Sequence, residues 1–290
     1  MAVFLTGDTH GRTDFGKVEQ FARDAGRRLT RDDYLIILGD FGFLWHGPSN
    51  EDEVEALDWL EDQAFTTLFL DGNHENFDLI EALPVEMRFG GRVHMVRPHV
   101  LHLIRGQRLE IGGHSFFIVG GGHSIDKFWR TPHVSWWPQE VPDEAERERI
   151  AAAARAAGHV DFLLTHVPPT GQYERYRARW SGFWGPSDEW TDWLEEHVEG
   201  VVSYDRWFFG HLHMDHPLDK PHTCLYNQIF DLDGTNLVPF GLDMGSCPDG
   251  HDHTYELGWE PPAEGETGHG TLFYECTRCN KRLIDRTSVV

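Results

Sequence analysis

Cysteine is scarce in this chain, and its distribution excludes a disulfide-stapled fold. Four cysteines occur among 290 residues, and three of them, Cys247, Cys276 and Cys279, lie near the C-terminus. Small secreted scaffolds carry a much denser set. An apolar core must therefore stabilise the interior, and a hydrophobic content of 40% with 11 tryptophans and 19 phenylalanines is ample for one. The same composition excludes global disorder.

Long hydrophobic runs are also absent. No apolar run approaches the ~18 residues of a membrane-spanning helix. The first predicted strand begins at Ala2 and leaves no room for a basic region, an apolar stretch and a cleavage site. We therefore expect a cytoplasmic protein without a membrane partner.

Basic residues are few relative to acidic ones. The chain has 25 Lys and Arg against 48 Asp and Glu, which gives a net charge of −23. A surface this acidic repels phosphate backbones, so broad nucleic-acid binding is not expected. Bound divalent cations would reverse the field locally, so a small anionic substrate is still compatible with the charge.

Short apolar runs alternate with helical patterns, which predicts an α/β fold. Five runs, AVFL, YLIIL, TLFL, DFLL and RWFF, predict buried strands. Hydrophobic spacing predicts helices over residues 15–25, 51–63 and 143–157, and further strands between residues 93 and 119. The apolar rhythm fades after Phe240. We therefore predict one domain over residues 1–242 and a small module over residues 243–290.

A polar motif follows each of the five predicted strands. In a parallel α/β sheet, the loops at the carboxyl ends of the strands share one edge, where ligands bind. Asp, Asn and His are the ligands expected for divalent cations such as manganese, iron and zinc. Any one of these histidines could instead be a satisfied loop or core residue, but an ordered series of five motifs is not expected by chance. The motifs are GDTHG (Gly7 to Gly11), GDFG (Gly39 to Gly42), GNHE (Gly72 to Glu75), TH (Thr165 and His166) and GHLH (Gly210 to His213).

This ordered series resembles the calcineurin-like metallophosphoesterase superfamily over roughly residues 1–229. The resemblance implies a two-layer β-sandwich flanked by helices and a pair of divalent cations, with manganese favoured over iron, zinc or nickel. It also implies that His74 is a catalytic histidine that does not bind metal. Carried over by motif, the first metal would be held by Asp8, His10, Asp40 and His213, and the second by Asp40, Asn73, His166 and His211.

The resemblance implies hydrolysis of a phosphodiester, nucleotide or other small phosphate ester by a hydroxide that bridges the metals. Two metals about 3.5–4 Å apart can stabilise both the attacking and the leaving oxygen, and His74 would protonate the leaving oxygen. Protein phosphatases of this superfamily carry an Asp and an Arg where this chain has Phe43 and Leu44, so a phosphoprotein substrate is disfavoured. Lys127 and Arg130, which follow three glycines, are the candidates to bind the phosphate instead.

The C-terminal module has the spacing of a zinc ribbon. Cys276 and Cys279 form a C-x-x-C after an aromatic run, and Cys247 with His251 would complete a structural zinc site. His253 competes with His251 for the fourth position. The alternative is a flexible tail with incidental cysteines. Cys224 is expected to be a small buried hydrophobe.

Two further interpretations stay open. Tyr173, Tyr176 and Trp180 alternate with arginines, which could stack a nucleobase or could form a solvated helix-like insertion. The whole chain could be a non-catalytic metal-binding adaptor, or a nuclease or phosphatase that acts on a macromolecule recruited by the zinc ribbon.

Overall fold

The structure is a computed structural model that describes residues 1–25, 28–179, 187–217, 221–232, 255–260, 271–276 and 282–284. Strands and helices alternate along most of this range, so the predicted α/β fold is confirmed. The strands in chain order are β1 Val3–Thr6, β2 Tyr34–Ile37, β3 Thr66–Phe69, β4 Val85–Arg88, β5 Gly91–Arg97, β6 Val100–Leu103, β7 Gln107–Ile111, β8 His114–Val119, β9 His159–Thr165, β10 Ser203–Phe209, β11 His216–Pro217, β12 His222–Cys224, β13 Phe230–Asp231, β14 Tyr255–Glu260, β15 Thr271–Cys276 and β16 Arg282–Ile284.

The three helices predicted from hydrophobic spacing lie close to their predicted positions, and the structure adds three others. Asn50 caps the second helix by accepting a hydrogen bond from the backbone N–H of Glu53 at 3.0 Å, and Asp143 caps the fourth in the same way. Acidic residues follow each cap, where they favour the helix dipole. The α-helices are α1 Gly16–Ala25, α2 Glu51–Glu61, α3 Phe77–Glu81, α4 Glu144–Ala157, α5 Thr170–Arg179 and α6 Glu189–Leu194, and a π-helical turn, Glu195–Glu199, continues the last.

Two large mixed sheets carry the fold. The first has the strand order β13-β1-β2-β3-β6-β5-β4, in which β1, β2, β3 and β6 run parallel. The second has the order β11-β12-β10-β9-β8-β7, in which β8, β9, β10 and β12 run parallel. The carboxyl ends of the parallel strands in each sheet therefore share an edge.

The two sheets pack face to face around a common apolar core. Ile36 and Leu68 of the first sheet share that core with Phe116, Phe162 and Phe208 of the second. Helices α1 and α2 cover the outer face of the first sheet, and α4, α5 and α6 cover the outer face of the second. The burial of both faces explains why the strands read as continuous apolar runs in the sequence.

The aromatic residues of α5 belong to the core. Tyr173 and Tyr176 are buried against the outer face of the second sheet. Both interpretations from the sequence, a platform for stacking a nucleobase and a solvated insertion, are therefore wrong for these two tyrosines. Their spacing along the helix directs both rings toward the second sheet. Trp180 lies outside the described residues. Cys224 is a free, buried cysteine, as predicted.

The C-terminal segment contributes a separate antiparallel sheet with the order β14-β15-β16. Cys276 is the last residue of β15, and its side chain is not among the described atoms. Cys247, His251, His253 and Cys279 lie outside the described residues. The zinc ribbon and the domain boundary at residue 242 therefore stay predictions. Within the described ranges, no helix combines the length and apolar character needed to cross a membrane.

Candidate metal centre

The loops that follow β1, β2, β3, β9 and β10 converge at one edge of the sandwich. Two of these strands belong to the second sheet and three to the first. The packing of the sheets therefore joins residues as far apart in the chain as Asp8 and His213. The loops carry all eight side chains predicted for the centre: Asp8, His10, Asp40, Asn73, His74, His166, His211 and His213.

Asp8, His10 and His213 form the first part of the centre. One ligand atom of each lies within 4.8 Å of the others. Nε2 of His213 is 3.1 Å from Oδ2 of Asp8. Nε2 of His10 is 3.2 Å from Oδ2 of Asp40, while its Nδ1 is 2.7 Å from Oδ2 of Asp14. Asp40 therefore joins this group through one of its two oxygens.

His166, Asn73 and the other oxygen of Asp40 form the second part. Nδ1 of His166 is 2.8 Å from the carbonyl oxygen of Leu38, so this nitrogen must carry the proton and donate. Nε2 then faces Oδ1 of Asn73 at 3.1 Å and Oδ1 of Asp40 at 3.4 Å. The half-buried ring of His211 lies beside that of His166, with centroids 5.0 Å apart.

The charges of the centre favour a bound cation. Burial opposes ionisation of Asp8 and Asp40, yet the facing histidines hold the pKa of both carboxyls below its usual range. Burial alone would lower the pKa of His10, but its contacts with Asp14 and Asp40 outweigh this effect and raise the pKa to about 10. Burial would also lower the pKa of His166, but Asp40 outweighs this effect and raises the pKa to about 9.

The proton on Nε2 of His10 and the proton on Nε2 of His166 occupy positions that a metal ion could take. Acceptor atoms face one another around His10 and His166, and only a proton or a metal ion on each Nε2 can satisfy them. Carboxylate oxygen, amide oxygen and imidazole nitrogen are the donors that first-row divalent cations accept. Burial lowers the pKa of His211 to about 3, so this ring is neutral, as a ligand must be. The residues therefore fit two divalent cations.

The backbone of the site is held in an uncommon conformation. In the described chain, most of the non-glycine residues with positive φ belong to the predicted ligand set. Such conformations cost about 1–3 kcal/mol each and cluster at functional sites. They are His10 at 43°, Asp40 at 50°, His211 at 64° and His213 at 48°.

Glycines precede the ligands because there is no room for a side chain. A Cβ on Gly72 would lie 2.1 Å from Oδ1 of Asp40, and one on Gly210 would lie 2.3 Å from Oδ1 of Asp8. Both distances are far below van der Waals contact. The glycines of the GNHE and GHLH motifs therefore allow the carboxylates to reach the centre.

His74 lies at the rim of the centre. Its backbone N–H donates to Oδ1 of Asp40 at 2.7 Å, and its ring centroid is 5.4 Å from that of His10. One of its ring nitrogens also lies within 4.8 Å of ligand atoms of His10 and Asp40, so distance alone does not separate a ligand from a catalytic role. Burial lowers the pKa of His74, and Arg130 adds to this effect although Asp40 opposes it.

The two candidate phosphate-binding residues differ in position. The guanidinium of Arg130 is 3.3 Å from Nδ1 of His74 and is paired with Asp126 at 2.7 Å. The ammonium of Lys127 lies instead 3.2 Å from Nδ1 of His123. Only Arg130 is brought to the predicted catalytic histidine.

Phe43 and Leu44 are buried in the core beside α1 and α2. The Phe43 ring packs edge-on against Phe15, with centroids 4.8 Å apart. The positions that carry an acid and an arginine in the protein phosphatases thus contribute to packing in this chain.

Several residues near the centre were not singled out in the sequence. Asp14 could have been found from its position four residues after His10, one turn away.

Glu75 was visible in the GNHE motif. Its Oε1 accepts a hydrogen bond from the Phe41 N–H at 2.7 Å, and burial beside Asp40 raises its pKa to about 8. Ser124 and Tyr226 had no local signal, since their importance depends on distant contacts.

A cleft of about 330 Å³ opens beside the centre. His10 and His74 line it together with Trp45, His46 and Asp52. This volume is at the lower end of the range for small-molecule sites.

The fold and the site together define an α/β protein with a candidate centre for divalent cations. The family model for calcineurin-like phosphoesterases matches residues 1–215, and the chain belongs to that family. Members hydrolyse phosphate esters with divalent metals, which assigns this general activity to the chain. A search among curated proteins finds no match. One solved structure aligns over 99% of this chain and 100% of its own at 11% identity, but its TM-score of 0.43 is too low to support an argument.

Proposed function

We propose that the protein is a dinuclear phosphoesterase that hydrolyses phosphodiesters, nucleotides or other small phosphate esters. The observation that carries this proposal is the position of Asp40. Its Oδ2 lies 3.2 Å from Nε2 of His10 and its Oδ1 lies 3.4 Å from Nε2 of His166. A buried carboxylate whose two oxygens face two separate donor groups is arranged to bridge two cations.

Each part of the chain has a defined role in this proposal. Asp8, His10 and His213 hold one side of Asp40, and Asn73, His166 and His211 hold the other. Two divalent cations held there would supply a nucleophile near neutral pH and offset the charge of the phosphoryl oxygens. His74 gives a proton to the leaving oxygen, and Arg130 beside it binds a phosphate oxygen.

The surroundings of the centre favour a small substrate. The cleft beside His74 is about 330 Å³, which suits a leaving group of modest size. The net charge of −23 disfavours extended polyanions. The burial of Phe43 and Leu44 leaves Arg130 to face the phosphate, so diesters and nucleotides are favoured over phosphoproteins.

Phosphate and alcohol release with Mn²⁺ tests this proposal, measured across a chromogenic diester, nucleotides, cyclic nucleotides and phosphoproteins. The matched control is Asp40→Asn. Asn tolerates the positive φ of this position, so the variant removes the charge with little effect on the backbone. We expect turnover of at least one small ester, and loss of a metal and nearly all activity in the variant. Two bound metals and normal turnover in Asp40→Asn, or activity on phosphoserine proteins alone, would contradict the proposal.

A further inference from the structure

Two groups of residues outside the predicted ligand set contact it from different loops. One group contains Tyr226, Asp14 and Lys17. The other contains Ser124 and Glu140. None of them is a predicted ligand, and each group contacts the ligands of only one metal position.

Tyr226 and Asp14 support the first metal position. The Tyr226 ring is stacked on His213, with centroids 4.6 Å apart and an angle of 9° between the planes. Asp14 accepts a hydrogen bond from Nδ1 of His10 at 2.7 Å, which directs Nε2 toward Asp40. Tyr226 thus contacts one predicted ligand of this position through its ring, and Asp14 orients another.

The position of Tyr226 is itself fixed by buried contacts. Its backbone N–H donates to Oδ1 of Asp215 at 2.7 Å. Its carbonyl oxygen accepts a hydrogen bond from Lys17, which also donates to the carbonyl oxygen of Asp8 at 2.6 Å. The Lys17 ammonium lies 4.8 Å from the centre of the Tyr226 ring. Tyr226 lies beyond residue 215, where the family match ends.

Ser124 supports the second metal position. Nδ2 of Asn73 donates to Oγ of Ser124 at 3.2 Å, and this Oγ is 3.4 Å from the backbone carbonyl of Asn73. The backbone N–H of Ser124 donates to Oε1 of the buried Glu140 at 3.0 Å. The amide of Asn73 is thereby oriented with its nitrogen toward Ser124 and its oxygen toward Nε2 of His166.

We propose that Tyr226 and Asp14 are positioning residues for the first metal, and that Ser124 is a positioning residue for the second. This inference rests on the dinuclear centre proposed above. Residues that orient metal ligands typically change metal affinity by about 10–100-fold when removed. Since the two groups contact different ligands, each should affect one metal and leave the other unchanged.

Calorimetric titration of the metal-free protein with Mn²⁺ tests the proposal without an activity assay. We expect two binding events in the wild type. Tyr226→Leu and Asp14→Asn should each weaken one event by about 10–100-fold, and Ser124→Ala should weaken the other. Tyr226→Phe is the matched control, because it keeps the stacked ring and should stay close to wild type.

Ligand variants assign the two events. His213→Ala should abolish the event that Tyr226→Leu weakens, and Asn73→Ala should abolish the event that Ser124→Ala weakens. The double variant Asp14→Asn with Ser124→Ala should weaken both. Thermal unfolding checks each variant, and Asp14→Asn keeps the test decisive if Tyr226→Leu does not fold.

The outcomes separate this inference from the proposed function. A wild type that binds fewer than two metals would overturn the dinuclear centre. Two metals in the wild type, with Tyr226 and Ser124 variants that weaken the same event, both events or neither, would overturn only the division of support.

Discussion

At the scale of single residues, the centre depends on histidines whose orientation is fixed by a second partner. Asp14 contacts Nδ1 of His10 at 2.7 Å, and the Leu38 carbonyl contacts Nδ1 of His166 at 2.8 Å. In both rings Nε2 is the nitrogen left to face the centre. A second contact of this kind sets the tautomer of a metal-binding histidine and increases its basicity.

His74 is expected to act on the leaving group and not on the metals. His74→Ala should retain both metals and lose about 10²–10⁴-fold in rate, which is the usual contribution of a positioned proton donor. Esters with good leaving groups need little protonation, so their loss should be smaller. Rates for a series of leaving groups, with metal content measured in parallel, check this. A missing metal in the variant, or equal loss across the series, would count against the role.

Arg130 and Lys127 offer a matched pair of cations three positions apart. Arg130 contacts His74, whereas Lys127 is directed at His123. Arg130→Gln should therefore lower kcat/KM by about tenfold or more, as expected when a charged hydrogen bond to substrate worth 1.5–3 kcal/mol is lost. Lys127→Gln should change it little. Steady-state kinetics on one diester decide between them, and equal losses would show that Arg130 has no special position.

At the scale of elements, the strand pair β5–β6 carries a polar network beneath the centre. His94 and His102 are cross-strand partners with stacked rings, 5.2 Å apart at 5°. Nε2 of His102 is 3.1 Å from Oδ1 of Asp71, and Arg105 is 3.3 Å from Oδ2 of Asp71. Since Asp71 lies two residues before Asn73, the network connects this strand pair to the loop of the centre.

The network makes stability depend on pH. Burial and the nearby His102 lower the pKa of His94 to about 4. An unfolded histidine titrates near 6.5, so below that pH the unfolded chain binds a proton that the folded chain does not. Stability should fall as the pH decreases from 6.5 to about 4. Urea unfolding of metal-free protein at pH 7 and pH 5 should show a smaller decrease for His94→Gln than for the wild type. An identical decrease in both would show that His94 does not contribute.

At the scale of the whole molecule, the predicted metal sites occupy separate parts of the chain. The ligands of the centre all lie at or before His213, and the predicted zinc ligands lie at or after Cys247. Apparent zinc binding in small modules is worth about 10–16 kcal/mol near neutral pH, so folding of such a module and metal binding are one event. Changes in the module should therefore leave the centre intact.

Cys276→Ser with Cys279→Ser is the test at this scale. We expect the double variant to lose one zinc per chain and to become sensitive to proteolysis after about residue 242. The metals of the centre and turnover of small esters should survive. Metal content together with mass spectrometry of limited digests gives the answer. A tail equally protected in both proteins would show that these cysteines do not stabilise it.

The sequence alone determined the five strands that precede the motifs, the order of the motifs and the resemblance to the family. These features are local. A buried strand is visible as an apolar run, and a ligand motif is visible as a few polar residues at the end of that strand. Helices α2 and α4 could be predicted for the same reason, from their hydrophobic spacing. The substitutions at Phe43 and Leu44 were also visible, although their burial was not.

Only the tertiary structure decided which atoms meet. Arg130 reaches His74 while Lys127 does not, the α5 tyrosines turn inward, and Tyr226 stacks on His213. Lys17 and Tyr226 are 209 residues apart, and no local pattern connects them. Their contact exists because two sheets pack face to face and bring the ends of their parallel strands to one edge. The sequence specifies the strands and their polar ends, and the packing of the sheets sets the distances on which the chemistry depends.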